Sequence, residues 1–457
     1  MRVLWCFVAI WMLLALSVAR PVAARPLAVP DRDRTPIPLT AFDAPFNVTS
    51  GWPSMRQSLD LGYATTRLPV WGIRRGFARV RNEDLATGLG IGTVYALAYP
   101  LGLIGGWAHE EWHRAVMSRR GISSRNGIFY ASAWSEGLIS VDRVTDEDLA
   151  RLKRDHAAES VRLMSAGLEA QQQLGRRIGD DSFVYSAFGR QRGPVYFSRT
   201  WMFPLLQINF LNQMVYHATC SNPSNDDLTD SQNRRTLTVG SRDFTGLDCV
   251  AFAWELHRPD TPYADRGPHP YGNGIDRYRS WSDLDGTERR FVRTQLGLHF
   301  LNLLDPHLYG IDGFAFGRGE DQRWLVQAGH MLTPYGYAIE TRVSLLMGPL
   351  AGFFALEHGI NGQSWFPGVR GQVVGLPLGR APLSMDAVLG AWLQPKDLRF
   401  DTRRVAPGGN VGATLHWHVV PPASFDLELE GKSAGFVPGN VYLDPNLSVR
   451  VGATLRL

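Results

Sequence analysis

The chain has 457 residues, of which 44% are hydrophobic and 20% are charged, and its formal net charge is +4. This composition excludes an intrinsically disordered protein, and the length suits two or three domains. Its basic residues are almost all arginine and are scattered along the chain without long runs. The pattern therefore excludes nucleic acid as the partner.

The first residues predict a secretory signal. Arg2 precedes an apolar stretch over 3–18, and small residues at 22–24 form the pattern that a signal peptidase requires. We therefore expect residues 1–24 to be removed and the mature protein to be exported to the cell envelope, in the periplasm or the outer membrane. An uncleaved membrane anchor is the alternative, but the apolar stretch is short for a spanning helix and is followed by Pro21.

The next segments predict a leader and then a helical part. Residues 25–80 are rich in proline at their start and predict an extended leader, with one strand at 58–68, where apolar and polar residues alternate. Residues 81–334 predict mainly helices. An uncharged, glycine-rich run over 85–108 lies near their start, and the apolar spacing over 145–179 predicts a long amphipathic helix.

Two further apolar helices are predicted near 199–217 and 288–304. Between them, residues 221–287 are polar and rich in Asn, Asp, Gly and Pro, which predicts a long insertion. Cys220 and Cys249 are the cysteines that remain after signal removal. In an exported chain such a pair predicts a disulfide, with two free buried thiols as the alternative.

From residue 335 to residue 457 the pattern changes to repeated alternation of apolar and polar residues, separated by Gly and Pro turns. Six or seven strands are predicted there. This region resembles the end of a bacterial outer-membrane β-barrel, which implies lipid-facing apolar residues and a polar lumen. Such barrels need at least eight strands, so the resemblance implies that an N-terminal segment, such as 58–68, contributes another. A soluble β-sandwich is the alternative.

The sequence Ala108-His109-Glu110-Glu111-Trp112-His113 contains the pattern His-Glu-x-x-His. On a helix, residues four apart lie on one face, so His109 and His113 can bind one zinc ion. Glu110 is then placed to act as the general base toward an attacking water molecule. Glu111 competes for that role, but the register of the motif favours Glu110. The alternative is a solvated helix end with incidental histidines.

This motif is similar to that of the zincin metallopeptidases. The resemblance implies that His109 and His113 are metal ligands and that Glu110 is the base. No Gly and His follow at the spacing of the metzincin branch, which favours the gluzincin arrangement, where a Glu on a later helix is the third ligand. The predicted helix over 145–179 offers Glu159 and Glu169, between which the sequence does not decide.

Another candidate for the third position is His217, at the end of an apolar helix, although a hydrogen-bonded structural histidine is the simpler reading. The sequence therefore predicts an α+β protein: a helical zincin-like part followed by an antiparallel β-barrel-like C-terminal part. The predicted function is zinc-dependent hydrolysis of a peptide or envelope component, with zinc as the cofactor and association with a membrane. A non-enzymatic outer-membrane barrel and a site-2-type intramembrane protease, suggested by the uncharged run over 85–108, are the alternatives.

Overall fold

A computed structural model describes residues 36–127, 140–185, 190–192, 194–198, 200–316, 322–348, 350–379, 381–420 and 422–456. The predicted signal segment lies outside these residues. Nine helices that carry the argument below are α1 (Met55–Phe77), α2 (Glu83–Ala96), α3 (Ala98–Arg119), α4 (Asp146–Asp155), α5 (Ala157–Tyr185), α6 (Phe203–Cys220), α7 (Asn225–Arg235), α8 (Asp248–His257) and α9 (Gly286–His299).

The strands follow the same chain order. They are β1 (Pro36–Ala44), β2 (Arg125–Asn126), β3 (Val141–Asp142), β4 (Arg190–Arg192), β5 (Val195–Phe197), β6 (Ile311–Ala315), β7 (Gln322–Thr333), β8 (Gly336–Met347), β9 (Leu350–Ile360), β10 (Trp365–Pro377), β11 (Leu383–Pro395), β12 (Val405–Val420), β13 (Ala423–Lys432) and β14 (Asn446–Arg456). The α+β class is confirmed, with the helices first and a large antiparallel sheet in the C-terminal half.

Twelve strands form one sheet in the order β1-β14-β13-β12-β11-β10-β9-β8-β7-β6-β5-β4. Every pairing in it is antiparallel, and consecutive strands are neighbours from β6 to β14. Seven of the strands lie beyond residue 335, as predicted. The last strand, β14, pairs with β13 on one side and with β1 on the other.

An N-terminal strand does join the sheet, but it is β1 and not the segment 58–68. That segment lies inside α1, so the predicted strand is wrong. The helix begins with a capping box, in which the Ser54 side chain accepts from the Gln57 backbone and the Gln57 side chain accepts from the Ser54 backbone. Its buried residues, such as Tyr63 and Val70, follow helical spacing and pack in the core, which outweighs the short alternation.

The two faces of the sheet differ in polarity, and on the last strands the apolar side chains lie on the exposed face. On β13, Phe425, Leu427 and Leu429 are 59%, 44% and 49% exposed, and the residues between them are the carboxylates Asp426, Glu428 and Glu430 on the other face. Along β14, Leu447, Val451 and Leu455 are exposed in the same way, whereas Arg450 is buried and pairs with Asp43, Glu428 and Glu430. Apolar residues therefore cover the outer face, and charged residues line the inner face.

The helices pack into one core that also receives part of the predicted insertion. α3 and α5 pack along each other, and α8 packs against α5 with Val250, Ala251 and Phe252 buried. The segment 221–287 is therefore not a peripheral insertion, because it contains α7 and α8 and contributes to the core. Cys220 and Cys249 form the predicted disulfide, with their Cα atoms 6.1 Å apart.

The helix predicted over 145–179 is two helices. Thr145 caps α4 as its spacing from Asp148 suggests, and the chain leaves helical geometry at His156 before α5 begins. The uncharged run over 85–108 forms most of α2 and the first half of α3, which are divided at Leu97. Among the helices of the described ranges, none combines the length and apolar character needed to cross a bilayer.

Candidate metal centre

The two motif histidines lie one turn apart on α3, and their rings face each other with centroids 4.9 Å apart. The neighbouring helix α5 approaches closely at this level because residue 167 is glycine. A Cβ atom at Gly167 would lie 2.2 Å from His109 Nε2, which no side chain tolerates. The small residue thus provides the space in which the His109 ring lies. The predicted shared face of His109 and His113 is present.

A carboxylate completes this cluster. Asp248 Oδ2 lies 2.8 Å from His109 Nε2 and 3.3 Å from His113 Nε2. One ligand atom from each of the three residues lies within 4.8 Å of the other two. His113 and Asp248 are buried, and His109 is largely so. Two imidazoles and one carboxylate are a donor set that suits a zinc ion with an open coordination position.

Two links, one a hydrogen bond and one a disulfide at the next residue, fix the position of Asp248. It is the first residue of α8, and its backbone N–H donates to the Tyr216 hydroxyl at 2.8 Å. The next residue, Cys249, is bonded to Cys220 at the end of α6, one turn beyond Tyr216. The disulfide and the Tyr216 contact therefore hold the start of α8 against α6, with the carboxylate directed toward α3.

A hydrogen bond of the His113 ring shows which of its two nitrogens carries the proton. Its Nδ1 lies 2.6 Å from the Leu163 carbonyl oxygen. Because a carbonyl oxygen only accepts, Nδ1 carries the proton, and in neutral imidazole Nε2 then has a lone pair. That lone pair faces the Asp248 carboxylate. Two acceptors at this distance repel each other unless a cation, either a proton or a metal ion, lies between them.

Glu110 lies beside the cluster and is also buried. Burial raises the pKa of the Glu110 carboxyl well above its ordinary value, and the charges of Asp243 and Asp248 raise it further. Burial raises the pKa of Asp243 in the same way, with Asp248 adding to the effect. Burial alone would raise the pKa of Asp248 too, but the two histidines hold it below its ordinary value. The site thus concentrates carboxylates in a dry environment, which favours a bound cation.

Glu111, the competitor for the role of base, has structural partners. It pairs with Arg114 at 2.7 Å and accepts a hydrogen bond from the Asn126 side chain at 2.8 Å. These contacts occupy the Glu111 carboxylate, which is then less suited than Glu110 to act as the base. Among the contacts of the described residues, Glu110 has no such ion pair, and its role as the base stays a prediction.

Neither carboxylate predicted as the third ligand reaches the histidines. Glu159 forms ion pairs with Arg119 and Arg120, and the Arg120 Nε–Glu159 Oε2 distance is 2.6 Å. Glu169 pairs with Arg162 at 2.9 Å and accepts from the Gly439 backbone N–H at 2.8 Å.

The expectation of a third ligand from the 145–179 region is therefore corrected. A buried carboxylate needs a partner, and arginines provide one for both Glu159 and Glu169. The third place is taken by Asp248 from α8.

His217 belongs to a different group. Its ring lies 5.0 Å from that of His299, which in turn lies 6.4 Å from His330. His330 Nε2 is hydrogen-bonded to the Gln295 side chain at 2.7 Å. These three buried histidines pack together, and His217 is not part of the cluster formed by His109, His113 and Asp248. Its Nδ1 has no hydrogen-bond partner among the described residues, so the hydrogen bond expected for a structural histidine is not seen there.

The sequence contained one indirect signal for Asp248. It directly precedes Cys249, and the predicted disulfide brings it to the end of the helix that carries Tyr216. It lies in the segment 221–287, which was predicted to be a polar insertion and therefore offered no candidate ligand.

Comparisons with known proteins found no similar protein: no family model, no curated protein and no solved structure matches the chain.

Proposed function

We propose that this chain is a zinc-dependent hydrolase of the cell envelope, with a peptide bond as the most suitable substrate. One observation carries the proposal: the His113 Nε2 lone pair and the His109 ring meet the Asp248 carboxylate in a buried position that needs a cation. The hydrogen bond from Nδ1 to the Leu163 carbonyl leaves Nε2 facing the cluster, which is the arrangement of many metal-binding histidines.

The proposed roles follow from the positions of the side chains. His109, His113 and Asp248 would hold the ion, which supplies Lewis-acid polarisation of the scissile carbonyl. Glu110 takes the proton of the attacking water and transfers it to the leaving amine. Tyr216 accepts a hydrogen bond from the Asp248 backbone, so its own hydroxyl proton is available to a substrate oxygen. An amide or ester in a lipid or a cell-wall component offers the same carbonyl chemistry.

The outer face of the sheet supports a location in the outer membrane. Exposed Phe425, Leu427 and Leu429 alternate with inward carboxylates, which is the pattern of strands that face lipid on one side and a polar interior on the other. In water, a continuous apolar surface of this kind favours aggregation. We infer that β7 to β14 and β1 anchor the protein in the membrane and hold the helical part beside it.

The first experiment measures zinc content in the purified full chain. The wild type should hold about one zinc ion per chain, and His113→Ala should hold far less. His156→Ala is the control, because this histidine lies between α4 and α5 and should leave the zinc content unchanged. Wild-type protein without stoichiometric zinc after reconstitution would contradict the proposal.

The second experiment separates metal binding from catalysis. With a quenched fluorescent peptide mixture, Glu110→Gln should keep its zinc and lose activity by about a hundredfold or more. Glu147→Gln, at an exposed position of α4, is the matched control. Activity of Glu110→Gln equal to that of the wild type would remove Glu110 from the mechanism.

A second candidate function has its own support. Arg342 on β8 pairs with Asp180 on α5 at 2.5 Å, and Arg176 on α5 pairs with Glu340 on β8. Helices thus neutralise the inner face of the sheet, as a plug would in a non-enzymatic outer-membrane barrel. In that case the Glu110→Gln protein would keep every measurable property of the wild type.

A further inference from the structure

The disulfide lies directly beside the carboxylate of the candidate metal centre. Cys249 follows Asp248 in the first turn of α8, and its partner Cys220 is the last residue of α6. Both cysteines are buried in the same core cluster. The bond therefore ties the start of α8, which carries the Asp248 carboxylate, to the end of a different helix.

Asp248 is the member of the centre that depends on a contact between distant parts of the chain. His109 and His113 lie one turn apart on α3, so this helix sets their spacing by itself. The Asp248 carboxylate contacts both rings, at 2.8 Å and 3.3 Å, from a residue 139 positions beyond His109. A shift of α8 would remove the carboxylate and leave the two imidazoles in place. Two protein ligands are one fewer than a catalytic zinc site uses.

The attachment of α8 to α6 is small. α8 packs mainly on α5, and its contacts with α6 are few. Two links fall within this small contact, the Cys220–Cys249 bond and the hydrogen bond from the Asp248 N–H to the Tyr216 hydroxyl. Without the bond, one of the two links is lost. Zinc binding would then have to order the first turn of α8, and the entropy of this ordering opposes binding.

We propose that formation of the Cys220–Cys249 bond makes the centre competent to bind its metal ion, so that a chain with two free thiols binds zinc weakly and the oxidised chain binds it tightly. This inference rests on the proposed function, and it deepens that function by naming how metal loading of the same site is controlled.

The control step is a thiol–disulfide exchange. One of the two cysteine thiolates attacks a disulfide of an oxidising partner, and the other thiolate then displaces the partner from the mixed disulfide. Two thiols of this chain and one partner disulfide thereby become one disulfide of this chain and two partner thiols, so two electrons and two protons pass to the partner. Structural disulfides form in compartments outside the cytoplasm, so an exported chain would load its metal ion after export. Because the finished bond is buried, external thiols reach it poorly, and loading is controlled once, during folding.

The first test measures zinc affinity by competition with a chromophoric chelator, using the full chain purified without metal. The oxidised wild type should bind zinc more tightly than Cys220→Ala/Cys249→Ala by about tenfold or more, the usual effect of losing a group that positions a ligand. Leu346→Ala is the matched control for a general loss of stability. Leu346 is buried in a core cluster with Phe183, which lies about 24 Å along α5 from Gly167, so this variant should keep the zinc affinity of the wild type.

A second measurement needs no variant that lacks the bond. By linkage, saturating zinc must stabilise the bond against reduction by the same factor by which the bond tightens zinc binding. In glutathione buffers, zinc should therefore raise the ratio of squared thiol concentration to disulfide concentration at half-reduction by about tenfold or more. His113→Ala lacks a ligand and corrects for zinc that binds to glutathione itself, so zinc should leave its ratio unchanged.

The outcomes separate this inference from the proposed function. If the oxidised wild type binds no zinc, the metal centre is wrong and its control by the disulfide is wrong with it. If the wild type binds zinc but the double alanine variant binds it as tightly, or zinc does not move the wild-type ratio, the centre stands and the control by the disulfide is refuted. The same control is refuted if Leu346→Ala loses as much zinc affinity as the double variant, because the bond would then act only through overall stability.

Discussion

Replacing Gly167 with alanine should disrupt the candidate metal centre through a single added methyl group. The new Cβ atom would lie 2.2 Å from His109 Nε2 and 2.3 Å from its Cδ2. Ordinary contact begins at 3.4 Å, so the His109 ring must move by about 1.2 Å. The ring has no simple escape, because α3 and α5 pack closely here and the opposite side is occupied by His113.

The expected effect on zinc is much larger than the effect on folding. Ligand distances in zinc sites hold to within about 0.2 Å, so a displacement of this size should lower zinc affinity by about a hundredfold or more. For the free energy of unfolding, overpacking costs about 1–3 kcal/mol, and replacing a helical glycine with alanine returns about 1 kcal/mol. The net destabilisation of Gly167→Ala should therefore be about 2 kcal/mol or less.

The assay is competition with a chromophoric zinc chelator, combined with thermal unfolding of the zinc-free protein. Gly297→Ala is the matched control, since Gly297 is also helical and a Cβ atom there meets no described atom within 4 Å. It should gain about 0.5–1 kcal/mol of stability and keep its zinc affinity. If Gly167→Ala binds zinc as tightly as the wild type, then His109 is not a ligand in the geometry described above.

Three further predictions concern the disulfide, a histidine pair and the sheet exterior. Replacing both Cys220 and Cys249 by serine should lower the free energy of unfolding by about 3–4 kcal/mol, because the disulfide closes a loop with a sequence separation of 29. Calorimetry without reductant measures this loss of stability. Burial alone would lower the pKa of His307, but Asp305 at 3.0 Å raises it above its ordinary value. The stabilisation of the fold by this pair is therefore complete below about pH 6.5 and is lost as the pH rises through the raised pKa. His307→Gln should accordingly destabilise the protein more at pH 6 than at pH 9 in thermal unfolding, and an equal loss at both would contradict the pairing. Leu427→Arg should cost about 2–4 kcal/mol more than Leu427→Ala in lipid vesicles, as urea titration can show, and equal costs would argue against lipid contact.

The parts of the fold that rest on local patterns were predictable from the sequence. Alternation predicted six or seven strands beyond residue 335, where the structure has seven, and the helical spacing of His109 and His113 predicted their shared face. The helix over the segment 58–68 was not predictable in this way, because a short alternating run fits both a strand and a helix. The cap at Ser54 and the core packing of α1 favour the helix.

The third residue of the centre depends on a contact between distant parts of the chain. Asp248 lies 139 residues beyond His109, and no periodicity connects them. Glu159 and Glu169 were nearer in sequence and on a suitable helix, but the arginines that neutralise them could not be assigned without the fold. The disulfide is a long-range contact that the sequence predicted correctly, and it ends at the residue next to Asp248.

Helix α5 connects the candidate centre to the sheet and explains why the two parts form one protein. With 29 residues it is about 43 Å long. Its first half contacts the centre through Gly167 and Gln171, and its second half carries Arg176 and Asp180, which pair with strand β8. A sheet with a charged inner face requires such partners, since unpaired charges away from water are costly. The same helix therefore neutralises charges on the inner face of the sheet and fixes the position of His109, so the packing of the sheet and the geometry of the centre depend on one element.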